Sequence, residues 1–173
     1  MGAAEIAARE APLPVSVVDT GTASFGVGIC VLAAAEAIAA GASALEVADL
    51  IERLVPSIGN VFVAAAAPGG RIPACAGLPV LSFVGGRTKT LAFIGSLERS
   101  AEIMAAHVGS QSGPLRAAIG HASVATAPAA DALAAALGRS DVIADVMRYR
   151  VGPSVGAHTG GLTFGVFWWP VAH

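Results

Sequence analysis

The stretch from Ala23 to Ala40 limits the fold more than any other part of this chain. It is apolar almost all round, and Glu36 is its only charged residue. A helix without a polar face has to be covered on most sides. The pattern therefore suits a buried helix. Gly41 follows directly, where a glycine closes a helix past its C-terminus. The 173 residues fit one domain, and a chain of that length buries a sizeable core. With 55% hydrophobic and 13% charged residues, it lies far from the low hydrophobicity and high charge of disordered segments.

The same apolar content does not read as a membrane span. A crossing helix needs about 20 apolar residues in a row. The longest stretch free of Asp, Glu, Lys and Arg is Val151–His173, and it carries Pro153, Pro170 and several glycines. Mean hydropathy is +0.72, inflated by alanine. Met1–Pro14 contains Glu5, Arg9 and Glu10 and lacks the basic-then-apolar plan of a signal peptide. The expected setting is the cytoplasm. Net charge is −2, and no basic run interleaved with aromatics points to nucleic acid. The two cysteines, Cys30 and Cys75, sit in apolar surroundings and read as buried free thiols.

Along the chain, residues 1–13 read as a short leader and 14–173 as one domain. Val15–Asp19 reads as a strand. Ser43-Ala-Leu-Glu46 forms a capping box. It opens a helix with Val47, Leu50, Ile51, Leu54 and Val55 on one face. Gly59-Asn60 reads as a turn before a strand at Val61–Ala64. Val80–Val84, Gly85-Gly86 and Thr88–Ile94 read as a β-hairpin. Ser96 opens a helix through Val108, Leu115–Val124 is a strand, and Thr126 opens a helix ending at Gly138. Met147–Val151 alternates as a half-exposed strand, and Gly161–Trp169 is a last strand. The order predicts an α/β (α+β) fold, a mixed β-sheet of about six strands with helices packed on it.

No Walker loop, dinucleotide fingerprint or Gly-x-Ser-x-Gly elbow is present. No cysteine or histidine pair has metal-ligand spacing. No catalytic residue, metal or cofactor is expected. Among the four histidines, His107 and His121 read as structural and His173 is terminal. His158 differs. It lies in Val155-Gly-Ala-His-Thr-Gly-Gly161, where glycines let the backbone approach another surface. An imidazole and a hydroxyl side by side are both able to hydrogen-bond a carboxylate. Arg71, in a Gly-Gly-Arg loop, offers a fork suited to the same group.

Three segments in order resemble the DegV family. Val17-Val-Asp-Thr-Gly-Thr-Ala-Ser-Phe-Gly-Val-Gly28 is similar to the segment that opens that family's C-terminal half. Gly69-Gly-Arg-Ile72 resembles its Gly-Gly-Arg-Ile loop. Arg150-Val-Gly-Pro-Ser-Val-Gly-Ala-His-Thr-Gly-Gly161 resembles its closing Gly-Pro-x-x-Gly-x-His-Thr-Gly-Pro-Gly motif, with Gly161 where the family has proline. The resemblance covers residues 15–167, the C-terminal domain of the family's pattern. It implies binding of a long-chain fatty acid, with the acyl tail in an apolar tunnel and the carboxylate at a junction with an N-terminal half. His158, Thr159 and Gly160 would stand at the carboxylate, helped by Arg71. Phe62, Val80, Leu81, Phe83 and Leu91 would line the tail pocket. Some members present the carboxylate to a fatty acid kinase. The second expectation is a structural or assembly module that pairs with a separately encoded N-terminal-like half or forms a homo-oligomer.

Overall fold

A computed structural model describes residues 2–65 and 77–171. Among the described residues there are six α-helices and six strands. In order they are α1 (Gly2–Glu10), α2 (Phe25–Ala39), α3 (Ala44–Leu54), β1 (Gly59–Val63), β2 (Leu78–Val84), β3 (Arg87–Ile94), α4 (Leu97–Gly109), β4 (Leu115–His121), α5 (Ala127–Leu137), β5 (Ile143–Arg150), α6 (Pro153–Thr159) and β6 (Phe164–Pro170). The strands form one mixed sheet in the order β3-β2-β1-β6-β4-β5. Only β4 and β5 run parallel. They are joined through α5, the crossover helix that a parallel pair requires.

The last strand of the chain is thus central. β6 pairs with β1 on one side and β4 on the other, and it sends alternate residues to opposite faces. Phe164, Val166 and Trp168 join a core with Met104 and Val108 of α4 and Leu133 and Leu137 of α5. Phe167 and Trp169 face the other way, toward Ile29 of α2, with Leu54 of α3 packed nearby.

Local signals hold where they rest on named chemistry. The Ser43 N–H donates to Glu46 Oε2 at 2.8 Å and its hydroxyl accepts from the Glu46 N–H, completing the capping box. Gly41 has φ 93°. Its N–H donates to Ile38 and that of Ala42 to Ala37, each at 2.9 Å, the paired closure of a Schellman end. Gly85 and Gly86 both have positive φ, as a two-residue type I′ hairpin demands. Val47 is buried, Leu50, Ile51, Leu54 and Val55 are half-buried, and Glu46, Asp49, Glu52 and Arg53 are exposed.

Several expectations are corrected. Residues 15–19 form no strand and Val15 is exposed, because no neighbouring strand takes up their backbone. Residues 2–10 are helical, with none buried. Gly59 and Asn60 belong to β1 rather than to a turn. β4 ends at His121, and a short 3₁₀ turn, Val124–Thr126, follows. Ser96 and Thr126 sit at N-cap positions but make no capping bond. α2 is not enclosed. Only Gly26, Ile29 and Cys30 are buried, while Val31 is 62% and Ile38 61% exposed.

Candidate functional site

The face of the sheet opposite α4 and α5 carries a cleft of ≈ 480 Å³. Its floor follows from strand alternation. In β1, Val61 and Val63 point into the closed core, so Asn60 and Phe62 point to the cleft, which both line. Across from Phe62, the β6 partner is Gly165. A Cβ there would run into Phe62 and the Val61 carbonyl. The missing side chain lets the Phe62 ring lie across the strand.

Asn60 shapes the other side. Direct pairing of β1 with β2 is confined to Phe62–Leu81 and Val63–Val80. Beyond that point the Asn60 side chain takes over. Its amide donates to the Phe83 carbonyl and its oxygen accepts from the Phe83 N–H, each at 2.7 Å. A side chain spliced between two strands holds them apart while leaving no backbone group unpaired. Phe83 then lines the opened gap with Thr88 of β3.

α6 forms one border of the cleft. The segment with His158 and Thr159 belongs to this helix, started by Pro153 in its first turn, a position where proline's missing N–H costs nothing. Val155, His158 and Thr159 all face the cleft. His158 is exposed; Thr159 is buried and its hydroxyl donates to the Val155 carbonyl at 3.0 Å. The Ala65 N–H donates to the Thr159 carbonyl at 3.0 Å, tying the helix end to the end of β1. Gly160 has φ 84° and its Cα faces Ala65 closely enough that a Cβ would fall 3.1 Å from that methyl. Glycine is needed there on both counts. At Gly156 and Gly161 an added Cβ would meet open space, so close approach is confined to one of the three. Thr163 is buried at the same end and donates to the Gly160 carbonyl at 2.7 Å.

The far end is aromatic. Tyr149 of β5 lines the cleft and stacks on Phe25 of α2, with centroids 4.4 Å apart. Phe25 in turn leans on Trp169 at 6.5 Å, which carries Arg116 over its ring at 5.3 Å. Burial pushes the Tyr149 phenol up to about 12, while the Ser24 hydroxyl beside it pulls the other way.

Of the residues expected from sequence, Phe62, Phe83, His158 and Thr159 come together around one cleft. Gly160 stands just past Thr159. Leu81 is 1% exposed but does not line the cleft. Val80 and Leu91 pack into the core on the opposite face: Val80 lies one step from Leu81, so strand alternation turns it there, and Leu91 is the extra residue of a bulge in β3 opposite Val80 and Leu81. Arg71, Cys75 and the Gly-Gly-Arg-Ile loop lie outside the described residues. Sequence reasoning missed Asn60, Tyr149 and Thr163. The first was read as a turn residue, and no local pattern marks the other two. His107 sits edge-on to Trp168 at 5.6 Å. His121 has its Nδ1 buried without a partner, and burial, then Arg150 and Arg148, hold its pKa down. Cys30 is a buried free thiol, pushed up by burial. Among the described residues no cluster has the donors for a metal ion, and no helix is long and apolar enough to cross a membrane.

Comparison with known proteins finds relatives of the same fold. A DegV domain-containing protein of Streptomyces coelicolor is 36% identical over 95% of this chain, which spans 63% of that relative's length. A DegV family protein from Thermus thermophilus, solved with a description of its fatty acid binding, is 28% identical with a TM-score of 0.80, over 98% of this chain and 66% of that one. A Thermotoga maritima protein described as revealing fatty acid binding function shares the fold at a TM-score of 0.85, with 21% identity over 98% of this chain and 64% of that one. The family model described as "Uncharacterised protein, DegV family" matches residues 1–171. A match of that extent, on a six-stranded mixed sheet with His158 and Thr159 at its cleft, makes this chain a member of the DegV family.

Proposed function

We propose that this chain binds a long-chain fatty acid, with the tail on the aromatic floor of the cleft and the carboxylate at His158. The observation that carries the reading is the cleft itself, where Phe62, Phe83 and Phe167 form an apolar bed with one exposed imidazole at its border. Its volume, ≈ 480 Å³, lies inside the usual range of small-molecule sites, about 300–1,000 Å³. Relatives described as fatty-acid-binding support the same ligand.

The magnitudes assign separate roles. Burying a 16-carbon tail contributes on the order of 10 kcal/mol, at ~0.8 kcal/mol per CH₂, before ordering costs. A hydrogen bond from His158 to a carboxylate contributes ~1.5–3 kcal/mol. The tail supplies affinity and His158 supplies orientation. Thr159 joins by turning its hydroxyl from Val155 to the carboxylate, since one O–H donates once. Presentation of that carboxylate to a fatty acid kinase is the further step in this reading. Lipid extracted from the purified chain and identified by mass spectrometry tests it. An acyl chain at near-stoichiometric yield is expected; no lipid, and no binding on titration, sinks the reading.

A second reading rests on α2, whose Val27, Val31 and Ile38 are exposed. A row of apolar residues on one helix marks an interface. Its occupant would be an N-terminal-like half, matching the part of the Streptomyces relative that this chain does not span, or a second copy. Light scattering at tens of micromolar separates the two: a dimer points to a second copy, and a monomer leaves the row for a separate half.

A further inference from the structure

We propose that Tyr149 is the wall that ends the cleft on the β5 side and sets the length of acyl chain it accepts. The inference rests on the fatty-acid reading above and adds to it the residue that decides which acids fit.

Position comes first. Thr159 is tied to the end of β1, and Tyr149 belongs to β5, the far edge of the sheet. Three strand steps separate them, about 14 Å at ~4.8 Å per step. From His158 a tail running across β6 and β4 meets Tyr149 before it reaches the sheet edge. In the other direction, toward β3, Thr90 and Phe93 are exposed among the described residues.

The wall is stiff for a reason visible in β4. Gly120 and Gly165 are direct cross-strand partners. Each glycine leaves room for a neighbouring ring: Gly165 for Phe62 and Gly120 for Tyr149. A Cβ on Gly120 would overlap the phenol ring. Tyr149 therefore lies over β4 rather than standing off its own strand. Phe25 stacks on it from α2, and Trp169 supports Phe25 in turn. A tail methyl pressing on Tyr149 meets a stack of packed rings, not a side chain free to swing.

Ser24 gives an independent sign that this corner is built for something other than stability. It lines the cleft and has φ 55° and ψ −131°. The Gly26 N–H donates to the Ala23 carbonyl at 3.1 Å. This closes a type II′ turn with Ser24 at the position where glycine is preferred. Strain of that kind persists where surrounding structure holds it, and it gathers at ligand sites.

Affinities of wild type, Tyr149→Ala and Tyr149→Phe for straight-chain saturated acids of increasing length test the wall. Wild-type affinity should rise about four-fold per added methylene, from the transfer free energy of a CH₂, and stop rising at one length. Tyr149→Ala should move that break to longer acids, each further methylene again gaining roughly four-fold. Tyr149→Phe keeps the ring and should keep the wild-type break. A folded Tyr149→Ala chain with an unchanged break overturns the proposal. If wild type binds no acid of any length, the fatty-acid reading fails, and the wall is read with benzene instead. Tyr149→Ala should then open an apolar site over Gly120 that takes benzene, as dry cavities do. No gain in benzene uptake over wild type overturns it.

Discussion

The two faces of the sheet are built from the same strands and end up with opposite properties. On the α4–α5 face, Met104, Val108, Ile119, Leu133, Leu137 and Phe164 all stand at 0% exposure. On the other face, Phe62, Tyr149 and Phe167 remain half-buried around a cleft, the small cluster there holds only Ile29 and Ala118 at 0%, and the described residues leave the outer side of α2 open. The first face is packed with branched and long aliphatic side chains from two helices. The second has glycines at its centre, rings laid over them, and one short helix at its border. Close packing gives stability, since a filled core loses heavily when atoms are removed. Leaving rings half-covered forgoes that gain and leaves the apolar surface on which the proposed fatty acid would lie.

The largest expected difference between the faces lies in truncation. Leu133→Ala should destabilise the chain by about 2–5 kcal/mol, as buried Leu-to-Ala changes do. Val31→Ser on the outer side of α2 should stay within about 0.5 kcal/mol. Urea unfolding of both variants checks this. If Val31→Ser costs as much as Leu133→Ala, α2 is covered in solution and the contrast between faces is gone.

A second contrast is legible in one residue, because the chain has a single tyrosine. Tyr149 holds its proton up to about 12 in the folded chain, against 10 for a free phenol. As pH climbs past 10 the unfolded chain releases that proton while the folded one keeps it. Stability should therefore be flat in this group below pH 10 and fall between 10 and about 12. Absorbance titration of the phenolate reads the folded value directly. A midpoint near 10 would mean that the ring is open to water and that the end of the cleft is not packed.

Most of the architecture could be read from sequence, and the misses have a common cause. The capping box at Ser43, the hairpin at Gly85-Gly86 and the Schellman glycine at Gly41 are local, so their residues carry the whole instruction. The course of β6 and the alternation of β5 also follow from short-range pattern. The cleft depends on long-range register. That Gly165 faces Phe62, and that Gly120 faces Gly165, is set by pairing between residues more than 40 apart in the chain. The bulge that leaves Leu91 of β3 unpaired opposite Val80 and Leu81 cannot be seen in a run of apolar residues. The DegV motif singled out His158 and Thr159, which line the cleft, but its glycines gave no sign of the helix that Pro153 starts. The apolar run of α2 was read as demanding burial; the described residues cover only one side of it.

The head-group end should respond differently from either face. His158 is exposed and makes no hydrogen bond to the described residues, so His158→Ala should leave unfolding unchanged. Its effect belongs to the ligand: about 10- to 150-fold weaker binding of a fatty acid, the equivalent of one charge-assisted hydrogen bond at ~1.5–3 kcal/mol. The corresponding fatty alcohol, which has no carboxylate, should bind both proteins alike. Equal loss for acid and alcohol would show that the imidazole packs on the tail instead.

The smallest effect separates strain from packing. Ser24 sits at φ 55° in a turn position suited to glycine. Ser24→Gly removes a conformational cost of about 1–3 kcal/mol and adds back ~0.5–1 kcal/mol of backbone entropy in the unfolded chain. The net should be a gain of about 1 kcal/mol in urea unfolding, within the combined range of those two terms. A stabilising change at the cleft, next to destabilising ones throughout the α4–α5 core, is what a face kept for binding predicts, because selection for a ligand tolerates strain that selection for stability removes. Loss of stability in Ser24→Gly would mean that the serine hydroxyl holds Tyr149 in place more strongly than the turn resists it. The wall would then depend on that contact rather than on the ring stack.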